Sequence, residues 1–206
     1  MHKYEEQIVH SELDKPTEVE KVLTVDALAK AIGRPLELSH TGEIGVSDSG
    51  HGVFFALDTQ DNTQSYAIKR FGNSQKAQRE IDLLHEAANR GLKTLQTVLD
   101  KPLAVSNVRG VDVVTQRIPS LGTMNSIAWS EYYAGQPSYE SEIVPVMESI
   151  GQYIGNLHAN GMHHGDMQLK NIATIPSGEF VTFDLENAYF HADKKSALQQ
   201  VDFQDD

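Results

Sequence analysis

The stretch that decides the fold lies between residues 163 and 171 and reads His163-His164-Gly165-Asp166-Met167-Gln168-Leu169-Lys170-Asn171. It follows a long amphipathic helix, predicted from about Tyr139 to Asn160 by apolar residues at steps of three and four. Because proline fits only a first turn, Pro145 places the true helix start nearer Ile143. The stretch precedes a predicted hairpin over residues 172–184. It is therefore a polar loop between a buried helix and a hairpin.

Three side chains of this region carry chemistry. An acid at Asp166, an amide at Asn171 and a second acid at Asp184, at the end of the hairpin, can converge on one point. The Asn171 carboxamide oxygen and the Asp184 carboxylate are hard oxygen donors suited to Mg²⁺. Asp166, on the same loop, would lie close enough to accept a proton from an incoming hydroxyl. The region therefore predicts a magnesium site beside a general base.

Composition excludes several classes of function. The 206 residues make one domain or two small lobes. Seventeen basic against 29 acidic residues leave a net charge of −12, which argues against nucleic-acid and anionic-lipid partners. No cysteine is present, which excludes disulfides, thiolate zinc sites and cysteine nucleophiles. A polar N-terminus and the lack of a membrane-spanning apolar stretch favour a cytoplasmic location.

The first half of the chain alternates short apolar segments with turn clusters. A short helix is predicted over residues 17–32, stopped by Gly33. The order that follows is β-β-β-α-β-β. Its predicted elements are Leu36–Gly45, His51–Leu57, Ser65–Phe71, the helix Ser74–Arg90, Val98–Val105 and Val111–Ile118. A last short helix is predicted over Lys194–Val201.

On these residues the chain resembles the protein-kinase-like superfamily. His164 through Asn171 is similar to its catalytic loop, H-x-D-x-x-x-x-N. The His-Gly-Asp form resembles the small-molecule, lipopolysaccharide and atypical kinases more than ordinary protein kinases. Phe183-Asp184-Leu185-Glu186 stands where those kinases carry Asp-Phe-Gly, and its D-x-E form resembles aminoglycoside- and choline-kinase-like members.

The resemblance covers residues 36–188 and implies an α+β, minimal bilobal kinase-like fold. It implies a five-stranded antiparallel N-lobe with one helix, followed by a reduced, mainly helical C-lobe. The corresponding division is an N-terminal arm and short helix at 1–35, an N-lobe at 36–118 and a C-lobe at 119–206. The A-P-E segment and the helical platform for docking a peptide are missing, which excludes a full-size protein kinase.

The same resemblance implies a nucleotide site. Tyr66-Ala67-Ile68-Lys69 is similar to the strand whose lysine holds the α- and β-phosphates of ATP. Glu80 is the implied partner of Lys69, with Glu86 or Asp82 as substitutes because the spacing of Lys69 and Glu80 is short. In the glycine-rich loop Ser47 and Ser49 take the first two glycine positions, and the glycines that remain are Gly50 and Gly52. Residues 116–118 fall at the hinge that binds adenine, which implies roles for Gln116 and Ile118.

In the second half, the resemblance implies Asp166 as the catalytic base, Lys170 near the transferring phosphate, and Asn171 and Asp184 as ligands of Mg²⁺. ATP and Mg²⁺ are the implied cofactors. Zinc binding by His158, His163 and His164 is disfavoured because their spacing matches no standard tetrahedral set.

Two hypotheses of different class follow. The first is an ATP- and Mg²⁺-dependent phosphotransferase acting on a hydroxyl of a small molecule, sugar or protein. The second is a pseudokinase-like module that binds a protein partner, with weak or no catalysis, which the reduced glycine loop and C-lobe motivate. Nucleotidyl transfer would reuse the same metal ligands, and the acceptor has no signature in the sequence.

Overall fold

The computed structural model describes residues 16–39, 52–118, 122–123 and 144–191. They form three α-helices, a four-stranded antiparallel sheet, a small three-stranded sheet and a two-stranded sheet, so the predicted α+β class is confirmed. The chain divides into two compact units, residues 1–82 with 95–117 and residues 83–94 with 118–206. The elements are α1 (Glu18–Ile32), β1 (Leu36–Ser39), β2 (Val53–Asp58), β3 (Ser65–Phe71), α2 (Ser74–Asn89), β4 (Val111–Gln116), β5 (Gly122–Thr123), α3 (Val144–Ala159), β6 (Met162–His163), β7 (Ile172–Thr174), β8 (Phe180–Thr182) and β9 (Tyr189–Phe190).

Helix α1 has clear signals at both ends. The Thr17 hydroxyl accepts from the Glu20 N–H, and the Glu20 carboxylate accepts from the Thr17 N–H, which is a capping box. Gly33 ends the helix with φ +68, a left-handed conformation that glycine adopts without steric cost. The helix predicted from the apolar spacing is therefore confirmed.

The first unit is a sheet covered by a helix on each face. Its strand order is β1-β2-β3-β4, with every neighbouring pair antiparallel. Successive residues of a strand point to opposite faces, so Ile68 and Phe71 lie on different sides. On one side α1 packs a core of Val25, Leu28, Phe54, Ala56, Tyr66, Ile68 and Val114. On the other side Phe71 and Val113 pack against Ala77 and Ile81 of α2.

The strand predicted over Val98–Val105 is not continuous. The segment pairs with β4 only through isolated bridges, Thr97 with Thr115 and Leu103 with Asp112. Between the two bridges lies Pro102, which has no N–H to donate to a ladder. The described residues therefore give four continuous strands in this sheet where five were predicted.

The second unit is built around α3 and the hairpin of β7 and β8. Ile150 of α3 and Ile172 of β7 are buried together, with half-buried apolar residues packed around them. The predicted stripe on α3 is correct at Ile150 and Leu157, but Met147 is 43% exposed. The hairpin pairs as predicted, with Ile172 opposite Thr182 and Thr174 opposite Phe180. Its strands are shorter than predicted.

Several predictions fall outside the described residues. They are Gly50 with the rest of the glycine-rich loop, the second half of the strand Leu36–Gly45, most of the N-terminal arm and the helix Lys194–Val201. Within the ranges that the structure does describe, no helix has both the length and the apolar character needed to cross a membrane.

A buried ion pair joins β3, β4 and α1. Arg70 is 2% exposed and Asp112 1% exposed, and the Arg70 Nε–H donates to Oδ1 of Asp112 at 2.5 Å. The guanidinium also donates to Oδ2 of Asp112 and to the hydroxyl of Thr24 in α1, both at 3.1 Å. Burial raises the pKa of Asp112, and the contact with Arg70 opposes that rise. The pair therefore depends on a close, bidentate geometry.

We expect Asp112→Ala to destabilise the fold by about 3–5 kcal/mol, because it leaves the Arg70 charge buried without its partner. Urea unfolding would measure the loss. The control is Asp82→Ala, which removes an exposed aspartate and should change the free energy of unfolding by less than about 0.5 kcal/mol. Equal losses in the two variants would contradict the importance of the pair.

Candidate active site

Lys69 and Glu80 form an ion pair in the first unit. Lys69 lies in β3 opposite Val53 and Val113, on the sheet face that α2 covers. Its Nζ lies 3.3 Å from each carboxylate oxygen of Glu80, and both side chains are largely buried. The Lys69 ammonium also lies over the Phe71 ring, 4.8 Å from its centroid. The Glu80 carboxylate and the Phe71 ring therefore fix the direction of the Lys69 ammonium on a central strand of the sheet.

The alternative partners for Lys69 have other contacts. Glu86 accepts from Nε of Arg90 at 2.6 Å. Asp82 is exposed and accepts from the side-chain amide of Gln78 at 3.0 Å. Of the three acids considered on α2, Glu80 is thus the one hydrogen-bonded to Lys69.

The other residues predicted to contact the nucleotide lie at strand ends. Gly52 precedes β2, and its carbonyl accepts from the Arg70 N–H at 3.1 Å. Gln116 ends β4, where its N–H donates to the Gln96 carbonyl at 2.8 Å. Ile118 is half-buried just beyond the strand, and its backbone makes no hydrogen bond with a described residue. Gly50 lies outside the described residues.

In the second unit, the Asp166 carboxylate is held by two amides. Nδ2 of Asn171 donates to the Asp166 carbonyl at 2.9 Å and to Oδ2 at 3.3 Å. The Gln168 side-chain amide donates to Oδ1 of the same carboxylate. Because each carboxylate oxygen can accept more than one hydrogen bond, both keep a lone pair for a further donor. Asp166 is therefore oriented and still able to accept a hydroxyl proton.

Asn171 also joins the loop to the hairpin that leads to Asp184. It is 4% exposed, and its carbonyl accepts from the Thr182 hydroxyl at 3.1 Å and from the Phe183 N–H at 3.2 Å. His164 makes a second connection, since its Nε2–H donates to the Phe183 carbonyl at 2.9 Å. The structure thus brings Asp166, Asn171 and the residue before Asp184 into one hydrogen-bond network.

The backbone at Asp184 is unusual. Its φ is +65 and its ψ is 58, a left-handed conformation that is uncommon for residues other than glycine. Such conformations persist where the surroundings impose them, and they cluster at active sites and ligand-binding segments. Gly165, before Asp166, has φ +75, and a Cβ there would overlap the Asn187 carbonyl oxygen. The loop before Asp166 and the turn at Asn187 therefore approach so closely that position 165 requires glycine.

His164 is a structural member of the site. It is 2% exposed, and burial lowers its pKa, although the hydrogen bond to the Phe183 carbonyl opposes that shift. A neutral imidazole can donate through Nε2, so the hydrogen bond does not need a charged ring. His164 is therefore a packed, hydrogen-bonded residue of this loop.

The donor set suits Mg²⁺. The Asn171 amide nitrogen is committed to Asp166, while no donor among the described residues reaches its Oδ1. Asp184, half-buried, follows Phe183, whose N–H donates to the Asn171 carbonyl. One amide oxygen and one carboxylate are the hard ligands that Mg²⁺ takes when phosphates and water complete its shell. The residues present therefore fit the ion that the sequence implies.

Some residues of the site were not identified as such from the sequence. Gln168 and Thr182 bind Asp166 and Asn171, and the one available signal for Gln168 was an amide two residues after an acid. Lys170 lies half-buried in the short 3₁₀ turn Leu169–Asn171, with no ion pair or hydrogen bond to a described residue. Its role beside a phosphate remains a prediction.

Comparison with known proteins agrees with the resemblance. The family model described as lipopolysaccharide kinase (Kdo/WaaP) matches residues 59–204, well over half of the chain. The matched region includes Lys69, Glu80, Asp166, Asn171 and Asp184, and it begins after Gly52. No curated protein matches the chain. The predicted membership of the protein-kinase-like superfamily is therefore confirmed, and the chain belongs to the lipopolysaccharide kinase (Kdo/WaaP) family.

Proposed function

We propose that this protein is a phosphotransferase that moves the γ-phosphate of ATP to a hydroxyl acceptor with the help of Mg²⁺. The observation that carries the proposal is the network in which Asn171 holds the Asp166 carboxylate and the backbone beside Asp184. Family membership supports the kinase class. Catalysis of phosphoryl transfer consists mainly of positioning and charge neutralisation, which a rigid network supplies.

Each residue has a proposed task. Lys69, oriented by Glu80, holds the α- and β-phosphates, and the segment Gln116–Ile118 binds adenine through its backbone. Gly50 and Gly52 let backbone N–H groups approach the phosphates. Asp166 orients the acceptor hydroxyl and takes its proton, and Lys170 lies beside the transferring phosphate. Asn171 and Asp184 would hold Mg²⁺, which when bound neutralises charge on the phosphates.

The acceptor is part of the proposal. The name of the family points to lipopolysaccharide, so a sugar hydroxyl of that molecule is the first acceptor to test. Small-molecule and protein hydroxyls follow as later candidates. A cytoplasmic location and the bilobal arrangement, with its N-lobe and C-lobe boundaries, stay predictions from the sequence.

The first test is a thermal-shift series on the purified protein with ATP alone, with Mg²⁺ alone and with both. A ligand at one hundred times its dissociation constant stabilises a protein by about 2.7 kcal/mol. We expect a rise in Tm that needs ATP and Mg²⁺ together. A rise with ATP that Mg²⁺ does not change, or no rise, would favour the binding module without catalysis.

The second prediction concerns Asp166, the proposed general base. Asp166→Asn should lower transfer of labelled γ-phosphate by about 10²–10⁴-fold, the contribution of a positioned general base. The Tm rise with ATP and Mg²⁺ should persist, because the variant keeps an oxygen for the Gln168 amide and leaves Asn171 in place. Asp82→Asn, an exposed aspartate on α2, is the matched control. Wild-type transfer by Asp166→Asn would rule out this role.

The third prediction separates Lys69 from other lysines. Lys69→Met should lower transfer by about 10²-fold, the cost of removing one charged contact to a transition state. It should also weaken the Tm rise, because the phosphates lose a cation. Lys93→Met removes an exposed lysine that pairs with Glu179, and transfer should stay at the wild-type rate. Equal effects from the two substitutions would contradict the assignment.

A further inference from the structure

Three ring side chains, one from α3 and two from the segment of β9, surround His163, the residue directly before the catalytic-loop His164. The His163 ring stacks on His158 of α3 at 4.8 Å and on Tyr189 of β9 at 5.0 Å. The His191 ring meets His163 edge-on at 4.9 Å. We call His158, His163, Tyr189 and His191 the histidine cluster. In the described ranges, no group of three or more acid or histidine side chains is arranged to hold a metal ion.

One nitrogen of the cluster is poorly placed to carry an added proton. Nε2 of His163 is buried and has no hydrogen-bond partner among the described residues. In a neutral imidazole the proton can sit on Nδ1, which leaves Nε2 with a lone pair, whereas a charged ring carries N–H at both nitrogens. Protonation would therefore create a buried donor without an acceptor, which costs free energy. It would also place a positive charge against neighbouring imidazoles.

The charged groups around the cluster do not offset such a charge. Arg90, just after α2, donates to the carbonyls of Asn160 at 2.9 Å and of His191 at 3.1 Å. The Glu86 carboxylate is engaged by Arg90. In the part of the chain that the structure describes, no carboxylate bonds to an imidazole of the cluster. The pKa of His163 is accordingly lowered, first by burial and then by His158 and His191.

The cluster lies where the segment that leads to Asp166 pairs with the segment that follows Asp184. Strand β6 pairs with β9, with Met162 opposite Phe190 and His163 opposite Tyr189. The His191 N–H extends this pairing by donating to the Gly161 carbonyl at 2.9 Å. The loop with Asp166 follows β6 directly, and β9 follows the short turn after Asp184. Loosening this pairing would release one end of each segment.

We propose that His163, within the histidine cluster, is a proton-sensitive switch whose protonation opens the pairing of β6 with β9 and thereby lowers activity at acidic pH. The opening concerns the fold alone, whereas the effect on activity rests on the proposed function. The folded pKa of His163 lies below the ordinary value of 6.5, so the open state binds more protons. The pairing is therefore most stable above pH 6.5 and weakens as pH falls below it.

The test is hydrogen exchange of the backbone amides of residues 161–166 at pH 7.5 and 5.5, corrected for the intrinsic exchange rate. In the wild type we expect the opening equilibrium constant to rise at pH 5.5 by up to about tenfold, the limit for one proton over one pH unit below 6.5. His163→Phe keeps a flat ring but cannot bind a proton, so its opening constant should change by less than about twofold. His158→Phe, the second variant, should reduce the response.

His85→Gln is the control, since it removes a histidine of α2 outside the cluster, and its response should match the wild type. Equal wild-type opening constants at the two pH values, or a full response in His163→Phe, would overturn the proposal. Activity separates the two claims. Opening without detectable transfer at any pH would overturn the proposed function and leave the switch in place. Opening with transfer that is equal at pH 5.5 and 7.5 would overturn the regulatory effect.

Discussion

Asn171 is the residue on which the proposed active site depends. Its side-chain amide holds the Asp166 backbone and carboxylate, and its carbonyl receives the Thr182 hydroxyl and the Phe183 N–H. Two acids that belong to one site repel each other when no cation lies between them. Hydrogen bonds through a buried neutral residue keep the two segments in place without help from charge. In the proposed function, the oxygen of the same Asn171 amide is a ligand of Mg²⁺.

Much of the fold follows from local signals in the sequence. Thr17, Glu20 and Gly33 mark the ends of α1, and the alternation along β3 places Ile68 and Lys69 on opposite faces. The interrupted pairing before β4 was harder to predict, because Thr97 and Leu103 have ordinary strand character and only Pro102 argues against a ladder. Two-residue strands such as β6 and β9 have no periodicity to detect, since their pairing is set by tertiary contacts.

Some residues of the candidate site could likewise be predicted from the sequence, and others could not. Lys69 and Glu80 lie on the strand and the helix that the motif order indicates, and the structure pairs them although their spacing is short. The hydrogen bond from Gln168 to Asp166 could not be predicted, because an amide two residues from an acid is common in loops. The histidine cluster combines positions 158, 163, 189 and 191, and its second pair lies beyond the hairpin, so no sequence window contains it. Such contacts form only when segments that are distant in the sequence come together in the fold.

The helix that caps the first face of the sheet has a practical consequence. The family match begins at residue 59, yet Val25 and Leu28 of α1 and Phe54 and Ala56 of β2 complete the core around Ile68. A fragment cut at the boundary of the match would lack α1, β1 and β2, and it would expose Tyr66, Ile68 and Val114 to water. A fragment that keeps this core intact therefore has to include α1 from its N-cap Thr17, well before the first residue of the family match.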